Sequence, residues 1–160
     1  MRLEAEYLVQ RYKDDVFRAA FSILRSPEDA EDIAQETFLR YWDSDSEFES
    51  EAHIRAWLLR VAINRAKNLA RSFWRRSRVS YEDYMAGLEF EAEADRSVLE
   101  AILALPQKYR IVLHLHYFED YTVREIALLL AMNENTVKTR LARGRQLLKN
   151  TLTEAWNEDE

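Results

Sequence analysis

Apolar residues recur along this chain at the spacing of helices. Leu8, Tyr12, Val16, Ala19, Ala20 and Ile23 fall three or four positions apart, which predicts a first helix over about residues 3–24. Ser26-Pro27-Glu28-Asp29 has the chemistry of a helix start. Serine can hold an otherwise unpaired amide, proline fits the first turn, and the two acids face the positive end of the helix dipole. The helix that follows carries Ala30, Ile33, Ala34, Thr37, Phe38 and Tyr41 along one side and ends near Trp42. Residues 43–50 are polar and acidic and read as a loop. A third helix is expected over about 51–73, with Ile54, Trp57, Leu58, Val61 and Ala62 as its apolar side.

Periodicity lapses over residues 75–95, which are acidic and contain Gly87, one of only two glycines. We read residues 75–96 as an acidic flexible linker between an N-terminal domain, 1–74, and a C-terminal domain, 97–160. The second domain is expected to hold four shorter helices, over about 97–104, 106–118, 122–131 and 134–155. Thr122-Val123-Arg124-Glu125 has the form of a capping box, and Asn133 to Thr136 supplies the next helix start. Two helices joined by three or four residues, the second one basic, outline a helix-turn-helix. The fold class is therefore all-α: two small helical domains, the C-terminal one a four-helix helix-turn-helix domain.

Composition narrows the chemistry. The chain has no cysteine, which excludes a disulfide framework, a thiolate zinc site and a cysteine nucleophile. No apolar run approaches the roughly 18 residues of a membrane span, and the first residues do not have the form of a signal peptide. The expected compartment is the cytoplasm, without membrane insertion. A formal charge of −6 argues against nucleic acid until its distribution is considered. From Ala52 to Tyr81 there is no acid, while Arg55, Arg60, Arg65, Lys67, Arg71, Arg75, Arg76 and Arg78 are all cationic. From Asn135 to Lys149 there is again no acid, and Lys138, Arg140, Arg143, Arg145 and Lys149 are cationic. Two basic blocks on an acidic chain fit nucleic-acid contact better than uniform solvation does.

At about 100° per residue, Val137, Leu141, Gly144 and Leu148 share one side of the last helix. Asn135, Thr139, Ala142 and Gln146 fall opposite, flanked by Lys138 and Arg143. That outward side offers amides and a hydroxyl for base edges, with cations for phosphate or guanine; the plainer alternative is an amphipathic helix whose cations face solvent. On the third helix, Arg60, Asn64, Arg65, Lys67, Asn68 and Arg71 interleave with Trp57, Phe73 and Trp74. Cations plus aromatic rings suit a separated strand, although such rings are more often core. Asp29, Glu31, Asp32, Gln35 and Glu36 need only the helix dipole to explain their acids. His114 and His116 point different ways on one helix and are expected to be packed or solvated. Neither a metal nor another cofactor is expected.

The residues resemble a known family. Tyr12 to Ala20, then Asp29 to Arg40, resemble region 2 of the extracytoplasmic-function (ECF) sigma factors of RNA polymerase. Leu105-Pro106-Gln107-Lys108-Tyr109-Arg110-Ile111-Val112-Leu113 and Thr136 to Arg145 resemble their region 4. The resemblance implies a factor that binds polymerase core and directs transcription initiation at −10 and −35 promoter elements, and that is not an enzyme. By position, Asp32, Gln35, Glu36, Leu39 and Arg40 match the segment that grips the β′ clamp helices. Asn64, Asn68 and Arg71 match the helix that meets the −10 element, and Arg60 and Arg65 complete the expected −10 set. Asn135, Thr136, Lys138, Thr139, Arg140 and Arg143 lie in the helix that matches the reader of the −35 major groove. The loop 43–50 matches one that receives a flipped base, and the helix from Pro106 matches a contact with the β flap. The implied partners are RNA polymerase core, promoter DNA and an anti-sigma factor. Asn68 stands where the family usually has Asp, and Ala131 where a turn glycine is usual. A DNA-binding repressor or activator, or a metal-dependent enzyme built on Glu28–Glu36, are the rival readings.

Overall fold

A computed structural model describes residues 1–72 and 93–158 of the chain. Among them are seven α-helices and no strand. The chain divides into two compact units, Met1–Tyr81 and Glu82–Glu160. The first contains α1 (Ala5–Leu24), α2 (Pro27–Asp43) and α3 (Glu51–Ser72); the second contains α4 (Glu93–Leu103), α5 (Gln107–Tyr117), α6 (Val123–Leu130) and α7 (Glu134–Glu158). Of the expected linker, residues 75–92 lie outside the described residues, as do Phe73 and Trp74. Helix α4 begins at Glu93, four residues before the expected 97.

Helices α1, α2 and α3 pack on one another around Leu8, Val16, Ala19, Ala20, Ala30, Ile54, Leu58, Leu59 and Ala62, all removed from solvent. The α1–α2 junction is as tight as its sequence suggests. Arg25 turns left-handed at φ 53° and donates its N–H to the Phe21 carbonyl, a C-cap that closes α1. Ser26 then accepts from the Asp29 amide at 3.3 Å, with Pro27 in the first turn of α2. The buried face of α3 departs from the expected one. Ile54, Leu58 and Ala62 are buried with Leu59, Ile63 and Ala66, whereas Trp57 and Val61 are only half-buried. A helix wedged against two others buries a wider arc than one narrow stripe.

The loop between α2 and α3 is held by side chains rather than left open. Phe48, 4 % exposed, sits against Tyr41, His53 and Trp57 with ring centroids 5.2–5.8 Å apart. Arg2 donates to the carbonyls of Tyr41 at 2.9 Å and Ser46 at 3.0 Å, with its guanidinium over the Tyr41 ring. Glu51, at the start of α3, accepts from the hydroxyls of Tyr7 and Tyr12, both at 2.7 Å. These bonds hold the Glu51 carboxyl below the usual carboxylate range, and burial together with the same bond pushes Tyr12 up to about 12.

In the second unit, Ile102, Leu105, Ile111, Val112, Leu113, Leu115, Ile126, Val137 and Leu141 form the core. Arg110 is buried, yet its guanidinium donates to the Leu105 carbonyl at 3.1 Å, satisfying an acceptor just past the end of α4. Thr122 and Glu125 make both bonds of the capping box, at 3.1 and 3.0 Å. Asn133 Oδ1 accepts from the Asn135 amide at 2.7 Å. Ala131 makes the turn at φ 54°, ψ 49°, the conformation a glycine adopts without steric cost. Gly144 is where α7 meets α5: a Cβ there would lie 3.1 Å from Leu113 Cδ1 and 3.4 Å from Tyr109 Cβ.

Candidate nucleic-acid interface

The orientation of α7 follows from its buried residues. Val137, Leu141 and Gly144 face the core, and Leu148 is half-buried. Asn135, Thr139, Ala142 and Gln146 are exposed on the opposite side. The Thr139 hydroxyl donates to the Asn135 carbonyl at 2.9 Å, so its oxygen remains available as an acceptor. A groove runs along one edge of this face, lined by Asn135, Thr136, Thr139, Arg140 and Arg143 from α7 and by Lys108 and Tyr109 from the start of α5. Lys138 is exposed on the other flank, outside the groove. Arg140 is half-buried and turned toward the Met132 sulfur. Arg145 turns back onto Tyr117, its Nε donating to the phenol oxygen. The five cations of this block therefore do not act alike.

On α3, Arg60, Asn64, Asn68 and Arg71 are all exposed, and helical spacing places them in one stripe about 80° wide. Arg65 falls outside it. Its Nη1 pairs with Glu36 Oε1 of α2 at 3.1 Å. Asp32, Glu36, Arg65 and Asn68 consequently border one groove between α2 and α3, so residues assigned from sequence to two partners lie side by side. Trp57 belongs to the aromatic cluster of the loop, with ring centroids 6.1 Å from Tyr41 and 5.8 Å from Phe48. That packing accounts for it better than base stacking does.

The outward face of α2 presents Asp32, Gln35, Leu39 and Arg40, all exposed. Leu39 is 62 % exposed and Trp42, one turn further, 70 %. Two large apolar side chains at three-residue spacing on a solvated face suit a protein contact. Sequence reasoning placed Trp42 only as the helix end, although its spacing from Leu39 was visible. It also missed Lys108 and Tyr109, whose approach to α7 depends on how α5 docks. His114 is buried with Nε2 3.2 Å from Glu119 Oε1, and His116 Nδ1 lies 2.9 Å from the Tyr121 carbonyl. Among the described residues no three His, Asp or Glu side chains group as a metal site, and no helix is long and apolar enough to cross a membrane.

Comparison with known proteins agrees with both units. Residues 8–76 match the family model for sigma-70 region 2, and residues 95–148 that for sigma-70 region 4. The chain is 32% identical to the RNA polymerase sigma factor SigV of Bacillus subtilis over 89% of its own length and 87% of the relative's. It is 31% identical to the ECF RNA polymerase sigma factor SigW of the same organism, over 91% and 87%. In fold it is similar to the sigma factor RpoE of Bartonella quintana, solved with the anti-sigma factor NepR. The TM-score is 0.72 at 19% identity, covering 92% of this chain and 96% of that one. With region 2 and region 4 in order and relatives matched over nearly their whole length, this chain belongs to the ECF RNA polymerase sigma factors, which direct transcription initiation by recognising promoters.

Proposed function

We propose that the exposed side of α7 reads the −35 element in the major groove through Asn135, Thr136, Thr139 and Arg143, with Lys138 on the phosphates of the other flank. The observation that carries this reading is the sorting of α7. Its apolar residues are buried, and its amides, hydroxyl and cations are presented on a helix fixed by a capped, short-turn partner. Amides and arginine match adenine and guanine edges, while cations match phosphate. The stripe Arg60, Asn64, Asn68 and Arg71 meets the −10 strand, and Asp32, Gln35, Glu36, Leu39 and Arg40 contact the β′ clamp helices. Arg65 joins the −10 set only if its bond to Glu36 opens. Residues 1–74 then act as region 2, 97–160 as region 4, and 75–96 as the tether between them. The factor works by binding energy, without catalysis, in the cytoplasm where its polymerase is. An anti-sigma factor holds it inactive; the fold-level likeness to a sigma factor solved with one supports this.

Run-off transcription with RNA polymerase core and a genomic promoter library tests the reading. Discrete start sites preceded by shared −35 and −10 sequences are expected. Transcription without any shared −35 sequence would overturn the assignment of α7.

A further inference from the structure

On the reading of α2 as the helix that contacts polymerase, we propose that Arg65 is a positioning residue for the Glu36 carboxylate, serving polymerase binding and not the −10 strand. The groove between α2 and α3 has three acidic side chains on its α2 side, Asp29, Asp32 and Glu36. Arg65 of α3 is the one cation among the described residues that line it. Its Nη1 donates to Glu36 Oε1 at 3.1 Å, and its Nε is removed from solvent, so the inner edge of the guanidinium is turned into the protein. Arg60, Asn64, Asn68 and Arg71 are exposed on α3, whereas the Arg65 side chain keeps 31% of its accessible surface and that of Glu36 47%. The better-buried member of the pair is the anchor, and the more exposed one is what a partner protein meets.

The surroundings of the pair favour a role on the α2 side. Asp32 and Glu36 stand one helical turn apart, where two like charges repel. A cation from the neighbouring helix offsets that repulsion and lets both acids be presented together. A glutamate also has several rotatable bonds whose freedom is lost when it binds. One carboxylate oxygen held by an anchored guanidinium restrains the side chain in advance, and Oε2 is left to accept from a donor on polymerase. To reach a DNA phosphate instead, Arg65 would have to give up Glu36 beside Asp29 and Asp32, whose charges repel the phosphate.

A double-mutant cycle tests the assignment. Full-length wild type, Arg65→Ala, Glu36→Ala and the double variant are titrated with RNA polymerase core. Each assembled holoenzyme is then titrated with a single-stranded −10 oligonucleotide at saturating core. Arg65→Ala is expected to weaken core binding about threefold to tenfold, the span of one hydrogen bond, and to add nothing in the Glu36→Ala background. Oligonucleotide affinity of the Arg65→Ala holoenzyme should stay within about twofold of wild type, while Arg60→Ala lowers it. Glu36→Arg combined with Arg65→Glu separates positioning from stability: the exchanged pair should restore the Tm lost in Arg65→Ala but leave core affinity low. Unchanged core affinity in Arg65→Ala, an effect of full size in the Glu36→Ala background, or core affinity restored by the exchange overturns the positioning role. So does a large loss of oligonucleotide affinity in Arg65→Ala, which would return Arg65 to the strand. In each of these cases weaker core binding by Glu36→Ala keeps the reading of α2; unchanged binding by Glu36→Ala overturns both.

Discussion

Single side chains decide what each cluster of charge can do. Asn135 is exposed at the start of α7, its backbone amide already held by Asn133, which leaves its carboxamide for a base edge. Asn135→Ala should change preference at one or two −35 positions, each worth about 1–3 kcal/mol; selection on a randomised −35 duplex with the holoenzyme measures it, and an unaltered profile would remove Asn135 from the readout. Glu51 shows how one residue ties helices together. Its carboxylate accepts from Tyr7 and Tyr12 and is held below the ordinary range. Stability from a depressed carboxylate is present above its unfolded value near 4.5 and is lost as pH falls through the lower folded value. Tyr12 works at the other end: its raised pKa gives stability that is full below 10 and lost as pH rises toward about 12. Tyr12→Phe should therefore destabilise the protein more at pH 7 than at pH 3, as read by urea unfolding. Equal losses at the two pH values would show that the carboxylate charge is not what the tyrosine holds.

At the scale of the element, the turn between α6 and α7 is built from strong local signals with one exception. The capping box starts α6 and Asn133 starts α7, but Ala131 between them is left-handed. A Cβ in that conformation costs about 1–2 kcal/mol, part of which a glycine would return as lost flexibility on folding. Ala131→Gly should stabilise the second unit by about 0.5–1 kcal/mol and raise its Tm by a few degrees, with DNA affinity unchanged. A lower Tm in calorimetry would mean that the turn tolerates the alanine without strain. The reverse logic holds on α7. Gly144 is required by close approach to Leu113 and Tyr109, not by backbone torsion, and the start of α5 shares a groove with the exposed face of α7.

For the whole molecule, the negative total charge and the promoter-binding role are compatible because the charges are segregated along the chain. Acids predominate on α2, whose outward face also carries the exposed Leu39 and Trp42. The cations gather on α3 and α7. On the proposed assignment, an acidic, apolar-studded surface for polymerase and basic faces for DNA operate at once without competing for the same partner. Gln35→Ala with Leu39→Ala should lower affinity for polymerase core by about tenfold or more. Both positions are exposed, so thermal stability should change by no more than about 0.5 kcal/mol. Fluorescence titration against core polymerase provides the test; unaltered affinity in the folded double variant would move the clamp contact elsewhere. The ion pair between Glu36 and Arg65 joins the acidic helix α2 to the basic helix α3.

The sequence by itself determined the helices, their caps and the inward face of α7. All of these depend on residues no more than four positions apart, and helical geometry fixes where such residues point. Ser26, Thr122 and Asn133 could be read as caps for the same reason. Family membership was legible too, because the two quoted motifs are contiguous stretches of chain. Tertiary structure decided which cations remain presented. Arg65 turns to Glu36 and Arg145 to Tyr117, each partner lying on another helix. It also decided that Phe48 closes an aromatic cluster with Trp57 in what the sequence shows only as a polar, acidic loop. A long, flexible side chain takes the nearest complementary group, and the docking of one helix on another determines which group that is.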